Sequence, residues 1–146
     1  MDATATPPSL LGLTTYLLSR TGRTARGLLI TRLTARGQRL WHMAVLAALA
    51  DFGPQVQREL AERLAIDPSD MVKLLDELAR AGQVERARST ADRRRVQVSL
   101  TPAGQRALEE LQAEAAAVQD EVLAPLTAEE RAQLHALLLR VHAAGR

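Results

Sequence analysis

The strongest constraint on the fold is a short stretch of strand periodicity in a chain whose other segments are patterned as helices. Val96, Val98 and Leu100 alternate with polar residues, which is typical of a strand with one buried face. A second strand-like segment covers residues 84–88, and a polar, Arg-rich stretch separates the two. We therefore predict a two-stranded β-hairpin with strands at 84–88 and 95–100 and a basic tip between them.

The remainder of the chain has the composition of a helical protein. Hydrophobic residues make up 47% of its 146 residues but aromatic residues only 2%, so Leu, Ala and Val must build the core. Leu and Ala favour helix, and the length suits one domain, 1–146, of mostly α class. The chain has no Cys, which excludes disulfides and thiolate metal sites.

Four helices are predicted ahead of the hairpin. The first starts at a Ser9 cap and runs to about residue 33, and the others span residues 38–52, 56–64 and 68–82. The second helix has an apolar side that consists of Trp41, Val45, Leu46 and Leu49.

The helix at 68–82 has the clearest start signals. Asp67 is a good N-cap, Pro68 is favoured at the first helical position, and Asp70 lies in the first turn, where the helix dipole stabilises an anion. Its apolar residues share one side of a helical wheel. The opposite side, which we expect to face outward, contains Ser69, Lys73, Asp76, Glu77 and Arg80.

Two long helices follow the hairpin, and both have apolar stripes. Thr101-Pro102 starts one that carries Leu108 to Val122 at alternating spacings of three and four, and a capping box at Thr127 starts the last. Further stripes lie at 10–17 and 134–141. We predict that residues 9–36 and 102–146 are dimerisation helices of a homodimer. The alternative is that the stripes cover each other within one chain.

Two short helices joined by a tight turn and followed by a hairpin form a winged helix-turn-helix, here residues 38–100. In such a unit the second short helix can enter the major groove of DNA and the hairpin, or wing, reaches sideways. Between Arg80 and Arg95 there are six Arg and only two acids. This excess predicts a double-stranded DNA partner, the alternative being a solvated basic face.

The block ELAERLAIDPSDMVKLLDELARAGQVERARSTADRRRVQVSLTPAG, residues 59–104, resembles the MarR/SlyA family of bacterial winged helix-turn-helix transcriptional regulators. The order of elements matches the family over nearly the whole chain. The resemblance implies a dimeric, ligand-responsive regulator, a repressor or an activator with repressor as the favoured role, that binds a pseudo-palindromic operator. It also implies that Asp92 is the family's wing Asp and Arg94 its minor-groove Arg, with Asp92 orienting the guanidinium.

Three positions depart from the family pattern. Gln83 stands where Leu is usual, and Thr90 stands where Pro often shapes the wing. Asp70 stands where Ser or Thr is common, so we interpret Asp70 as a capping residue. The residues predicted to form the DNA-binding site are Ser69, Lys73, Arg80, Arg86, Arg88, Asp92, Arg93, Arg94 and Arg95.

Two outward acids on the predicted DNA-binding helix conflict with a phosphate-facing surface. Asp76 and Glu77 would be repelled by phosphates, so this part of the helix either points away from the DNA backbone or pairs with Arg80.

The resemblance further implies a small aromatic or phenolic carboxylate effector, bound between the dimerisation helices and the winged unit. Tyr16, Arg20 and Arg23 share one face of the first helix, and Trp41 and His42 open the second. Together they offer an aromatic wall and a cationic anchor. The alternative is that the arginines pair with Glu109 or Glu114 of the partner and that Trp41 belongs to the core.

Other function classes lack the residues they need. The chain has no Gly-rich phosphate loop and no acid–base constellation, so we predict no enzyme and no cofactor. His135 and His142 are seven apart without further ligands, which indicates surface residues rather than a metal site. Without a membrane-length apolar run or a signal peptide, the expected location is the cytoplasm.

The alternative function is a winged-helix protein-interaction module without specific DNA binding. The wing argues against that alternative, because protein contacts alone do not require five Arg between Arg86 and Arg95.

Overall fold

The structure is a computed structural model that describes residues 5–145. In chain order its elements are α1 (Pro8–Leu11), α2 (Thr14–Ala35), α3 (Leu40–Phe52), β1 (Gln55–Val56), α4 (Gln57–Leu64), α5 (Pro68–Arg80), β2 (Val84–Arg88), β3 (Val96–Leu100), α6 (Pro102–Val122) and α7 (Ala128–Ala144). They divide into a central unit, residues 30–114, and a terminal unit, residues 5–29 and 115–145 among those described.

The core of the central unit is built from aliphatic side chains, as the scarcity of aromatic residues predicts. Burial of each large side chain removes apolar surface from water and contributes about 1.5–3 kcal/mol. The fully buried side chains are Leu33, Val45, Leu46, Leu60, Met71, Leu75, Leu78, Val98, Leu108 and Leu111. The prediction of a mostly α, winged helix-turn-helix protein is confirmed.

The hairpin is part of a three-stranded antiparallel sheet with strand order β1-β3-β2. Val84 pairs with Leu100 and Arg88 with Val96, and Gln55 of β1 pairs with Val98. The predicted hairpin lacked β1, because a two-residue strand is too short to show alternation. Arg95 was predicted to begin the second strand, but β3 begins at Val96.

The helix α5 starts where its sequence signals place it and ends at Arg80, two residues before the predicted end. Asp67 caps its N-terminus and Pro68 occupies the first turn. Past its last residue, Arg80, the chain turns toward β2 at Gly82, which has a φ of +72°. A residue with a Cβ is strained in this left-handed region, whereas Gly is not.

Two predictions about the first helices are wrong. The first helix is interrupted at Gly12, which is the C-cap of α1, and Leu13, and Ser9 lies inside α1 instead of capping it. Trp41 is 46% exposed. The buried face of α3 runs through His42, Val45, Leu46 and Leu49, and Trp41 lies at its edge in the first turn.

In the terminal unit, the predicted capping box starts α7. The Thr127 hydroxyl accepts a hydrogen bond from Glu130 N at 3.1 Å, and Glu130 Oε1 accepts one from Thr127 N at 2.9 Å. The second of these bonds holds the pKa of Glu130 below its usual range. Several apolar side chains of this unit are more than a third exposed: Leu13, Leu17, Leu137, Leu138 and Val141.

Candidate nucleic-acid interface

The N-terminus of α5 is fixed by its cap, and the cap also engages Ser69. Asp67 Oδ1 accepts hydrogen bonds from Ser69 N at 2.9 Å and from Ser69 Oγ at 2.5 Å. The hydroxyl bond is the larger cause of a lowered pKa at Asp67, followed by the backbone bond. Because the Ser69 proton points to Asp67, its oxygen offers an acceptor to an outside group.

The outward side of α5 has two cations without partners. Lys73 and Arg80 are exposed, and within residues 5–145 neither side chain has a hydrogen bond or an ion pair. The opposite side is buried, with Met71, Leu75 and Leu78 between 0% and 1% exposed. The helix therefore presents free positive charge on one side only.

Two of the three acids of α5, Asp76 and Glu77, are each neutralised by the protein itself. Asp76 Oδ1 lies 2.7 Å from Arg86 Nη1 on β2. Glu77 accepts two hydrogen bonds from Arg39 Nη2, at 2.8 and 2.7 Å. The expected pairing with Arg80 is not the one that forms.

Glu77 also contacts a buried histidine, whose tautomer the geometry defines. His42 Nε2 lies 2.6 Å from Glu77 Oε2, and His42 Nδ1 accepts a hydrogen bond from Arg39 N at 3.0 Å. Nδ1 is therefore without a proton, and Nε2 donates to the carboxylate. The bonds from Arg39, and next the bond from His42, hold the pKa of Glu77 below its usual range.

The tip of the wing is closed by backbone hydrogen bonds. Ser89 N donates to Arg95 O at 2.8 Å, and Arg95 N donates to Asp92 O at 3.0 Å. Arg88 Nη1 adds a bond to Arg93 O at 2.8 Å. Arg95 thus belongs to the tip, which explains why β3 starts one residue later than predicted.

Asp92 and Arg94 form the pair that the resemblance implies. Asp92 Oδ1 accepts hydrogen bonds from Arg94 N at 3.0 Å and from Arg94 Nε at 3.2 Å. The backbone bond, and then the side-chain bond, lower the pKa of Asp92. The Arg94 side chain is nonetheless 91% exposed. One edge of the guanidinium is anchored while the remaining N–H groups point into solvent.

The other wing arginines differ in what holds them. Arg93 is exposed, and within the described part of the chain its side chain has no partner. Arg95 Nη2 lies 3.7 Å from Glu59 Oε1 of α4, with both side chains more than half exposed. That pair borders a groove of about 700 Å³ between α4, α5 and the tip. A contact this long and exposed contributes little.

The predicted effector residues lie in both units. In the terminal unit, Tyr16 is half-buried on α2, and Arg20 and Arg23 are exposed. In the central unit, Trp41 is half exposed, while both ring nitrogens of His42 have protein partners. Trp41 therefore stays open to a ligand, whereas His42 is engaged by Glu77.

Sequence reasoning missed the ion pairs that join distant segments. Glu114 of α6 binds Arg32 at 3.0 Å and Arg36 at 3.1 Å, and these arginines lower its pKa. Glu114 was considered only as a partner for Arg20 or Arg23. Pairs separated by 38 to 82 positions leave no local pattern that would predict them.

The described residues contain neither a cluster of metal ligands nor a membrane-spanning helix. No three His, Asp or Glu side chains in residues 5–145 approach each other as metal ligands would. No helix in the same range is both long and apolar enough to cross a bilayer.

Comparison with known proteins places this geometry in a family. A model described as the MarR family matches residues 36–95. The chain is 36% identical over 89 residues to the HTH-type transcriptional repressor MdtR of Bacillus subtilis, an alignment that covers 61% of this chain and 57% of MdtR. The chain thus spans little more than half the length of this relative.

Solved structures match over a larger share of the chain. Wild-type MarR from E. coli superposes with a TM-score of 0.78 at 27% identity, covering 88% of this chain and 96% of MarR. A MarR variant from E. coli complexed with operator DNA matches with a TM-score of 0.68, at 28% identity over 86% of this chain and 90% of MarR. PcaV from Streptomyces coelicolor, in complex with its natural ligand, matches at 0.70 and 29% identity over 100% of both chains.

Proposed function

Because the chain belongs to the MarR family, we propose that it is a homodimeric, sequence-specific transcriptional repressor that binds a pseudo-palindromic operator in double-stranded DNA. The observation that carries this proposal is the wing tip. Asp92 accepts a hydrogen bond from Nε of Arg94, while the Arg94 side chain stays 91% exposed. A preorganised cation loses less entropy when it enters a minor groove, where negative potential is concentrated.

The outward side of α5 suits the major groove. Lys73 and Arg80 donate to phosphates or to guanine, and the Ser69 oxygen accepts from an exocyclic amine. Arg39 and Arg86 offset the charges of Glu77 and Asp76, so these acids repel phosphates less than free carboxylates would. In this scheme Arg86 positions the wing against α5, and Arg88 braces the tip.

Dimerisation rests on the exposed apolar side chains of the terminal unit. Leu137 is 56% and Val141 61% exposed on α7, and Leu13 is 52% exposed ahead of α2. Contiguous exposed apolar surface favours association with a second copy. Two-fold related α5 helices would then meet half-sites roughly 34–36 Å apart.

We further propose a small aromatic or phenolic carboxylate as effector and the cytoplasm as the location. The PcaV structure with its natural ligand shows that a related protein binds a small molecule. Tyr16, Arg20, Arg23 and Trp41 are the candidate contacts, with His42 acting through Glu77. An operator-binding protein must act where the DNA is.

The test is selection of bound duplexes from a random pool with the purified protein. The proposal predicts enrichment of a pseudo-palindrome whose half-sites are centred about one helical turn apart. Lys73→Ala and Arg80→Ala should weaken binding to it, and Arg140→Ala on α7 serves as the control. A pool that stays random after selection would favour the protein-interaction module instead.

A further inference from the structure

An exposed apolar side chain interrupts the polar outward side of α5. Val72 is 43% exposed, whereas its neighbour Met71 is fully buried. Val72 is one turn from Ser69 and from Asp76, and it borders the groove that Arg94 and Arg95 line from the wing. It lies between the helix side and the wing side of the DNA-binding surface proposed above.

The protein covers Val72 only in part, since the side chain is 43% exposed at the border of the groove. A β-branched residue is a poorer helix former than Ala or Leu, and the buried side of α5 is already filled by Met71, Leu74, Leu75 and Leu78. The site therefore carries a local cost in helix stability and a cost in exposed apolar surface. Both costs are offset if another molecule covers the side chain.

The major groove contains one apolar group that fits such a side chain. Thymine presents a 5-methyl group at its edge, and the remaining groups of the four base pairs there are polar donors and acceptors. Near Val72 the polar readers are the Ser69 acceptor and the Lys73 ammonium. Asp76, the acid one turn from Val72, is paired with Arg86 at 2.7 Å.

We propose that Val72 is a specificity-determining residue that contacts the 5-methyl group of one thymine in each half-site. This inference rests on the proposed operator binding and adds the identity of one base. Burial of one methyl group between apolar surfaces corresponds to about a fourfold change in affinity.

The experiment replaces each thymine of a selected duplex by uracil, which removes only the methyl group. Dissociation constants are measured for the wild type, for Val72→Ala, and for Ile30→Ala, a control that truncates an exposed aliphatic side chain of α2. Replacing one thymine per half-site should weaken operator binding about fourfold for the wild type and for the control. The same replacement should weaken binding less for Val72→Ala, whose shorter side chain makes a smaller apolar contact. Val72→Ala keeps its fold, since Ala is the better helix former.

The outcomes separate this inference from the function on which it rests. If uracil substitution costs Val72→Ala as much as the wild type, or if no thymine matters to either protein, Val72 does not read a methyl group. If no duplex is enriched from the pool, operator binding itself fails and the inference fails with it.

Discussion

At the scale of single residues, the three consecutive arginines of the wing are not equivalent. Arg94 is anchored by Asp92, Arg93 has no side-chain partner in the described residues, and Arg95 reaches Glu59 at 3.7 Å. Composition gives these residues the same charge, so only their geometry distinguishes Arg94, which we propose to enter the minor groove, from Arg93 and Arg95.

The first prediction compares two arginines of the same charge. Arg94→Ala should cost about 1–3 kcal/mol of operator binding, most on sites with a narrow A·T-rich minor groove. Arg93→Ala, the matched control, should cost less and mainly reduce the salt dependence, and Arg95→Ala should resemble it. Titrations by fluorescence anisotropy at several salt concentrations measure both quantities. Equal losses for Arg93→Ala and Arg94→Ala would mean that the wing acts only through its charge.

At the scale of elements, contacts from both sides hold α5. Arg39 and His42 reach Glu77 from the start of α3, and Arg86 reaches Asp76 from β2. The turn that follows α5 is held by Thr101, the residue just before α6. The Thr101 hydroxyl donates a hydrogen bond to Gly82 O at 2.5 Å and accepts one from Gly104 N at 3.0 Å. The orientation of the side of α5 that we propose to face DNA therefore depends on contacts from neighbouring elements.

The second prediction concerns Glu77 and pH. Its pKa is lowered in the folded protein, so its charge stabilises the fold above the ordinary carboxyl range, and this contribution is lost as the pH falls below about 4. Glu77→Gln should destabilise the protein at neutral pH by about 1–2 kcal/mol, and the difference should shrink in acid.

Thermal unfolding of both proteins between neutral and acidic pH checks this prediction. Glu62→Gln is the control, because the Glu62–Arg58 pair is 3.9 Å long and exposed on both sides, and it should leave stability unchanged. A stability difference for Glu77→Gln that does not depend on pH would contradict the assigned role of the charge.

The third prediction concerns Gly104 in the first turn of α6. A Cβ there would overlap the backbone oxygen of Gln83 and crowd Leu100. Gly104→Ala should therefore destabilise the protein by about 1–3 kcal/mol. Gly22→Ala in α2, where a Cβ meets nothing within 4 Å, should be neutral or stabilising. Denaturant unfolding measures both, and equal effects would refute the close contact.

Local signals predicted most elements but not the contacts between them. Asp67-Pro68, Thr101-Pro102 and the capping box at Thr127 each act within a few residues, so the starts of α5, α6 and α7 were predictable. The strand β1 and the exposure of Trp41 depend on what lies opposite in the fold.

The contacts of the candidate site likewise fall into those that the sequence predicted and those that only the fold shows. Asp92 and Arg94 are two positions apart, so the family resemblance was enough to predict their pairing. Arg39 and Glu77 are 38 positions apart, and only the folded chain brings them together.

At the scale of the whole molecule, the apolar stripes have different environments. Leu108, Leu111 and Val118 of α6 are buried within the chain, whereas Leu137 and Val141 of α7 are exposed. The alternative, in which the apolar stripes cover each other within one chain, therefore agrees with the burial of α6 but leaves Leu137 and Val141 of α7 exposed. A second copy of the chain is the cover that we propose.

The fourth prediction tests whether a second copy of the chain covers the exposed apolar side chains of α7. Leu137→Glu combined with Val141→Glu should convert a dimer to a monomer, because both side chains would place charges in a desolvated interface. Helical content should persist, since both positions are exposed within the chain. Sedimentation at micromolar concentration measures the change, with Ala132→Glu, at an exposed position on the opposite side of α7, as the control. A wild-type monomer at that concentration would contradict the proposed assembly.

The most direct test of the central claim, that a preorganised wing arginine drives operator binding, is the sign of one charge removal. Asp92→Ala and Glu85→Ala each remove one negative charge near the wing. The Glu85 side chain, exposed on β2, has no hydrogen bond or ion pair within the described residues. Operator dissociation constants at fixed salt should show weaker binding for Asp92→Ala, which frees Arg94, and unchanged or tighter binding for Glu85→Ala. Tighter binding by both variants would contradict the claim, because charge alone would then explain the affinity.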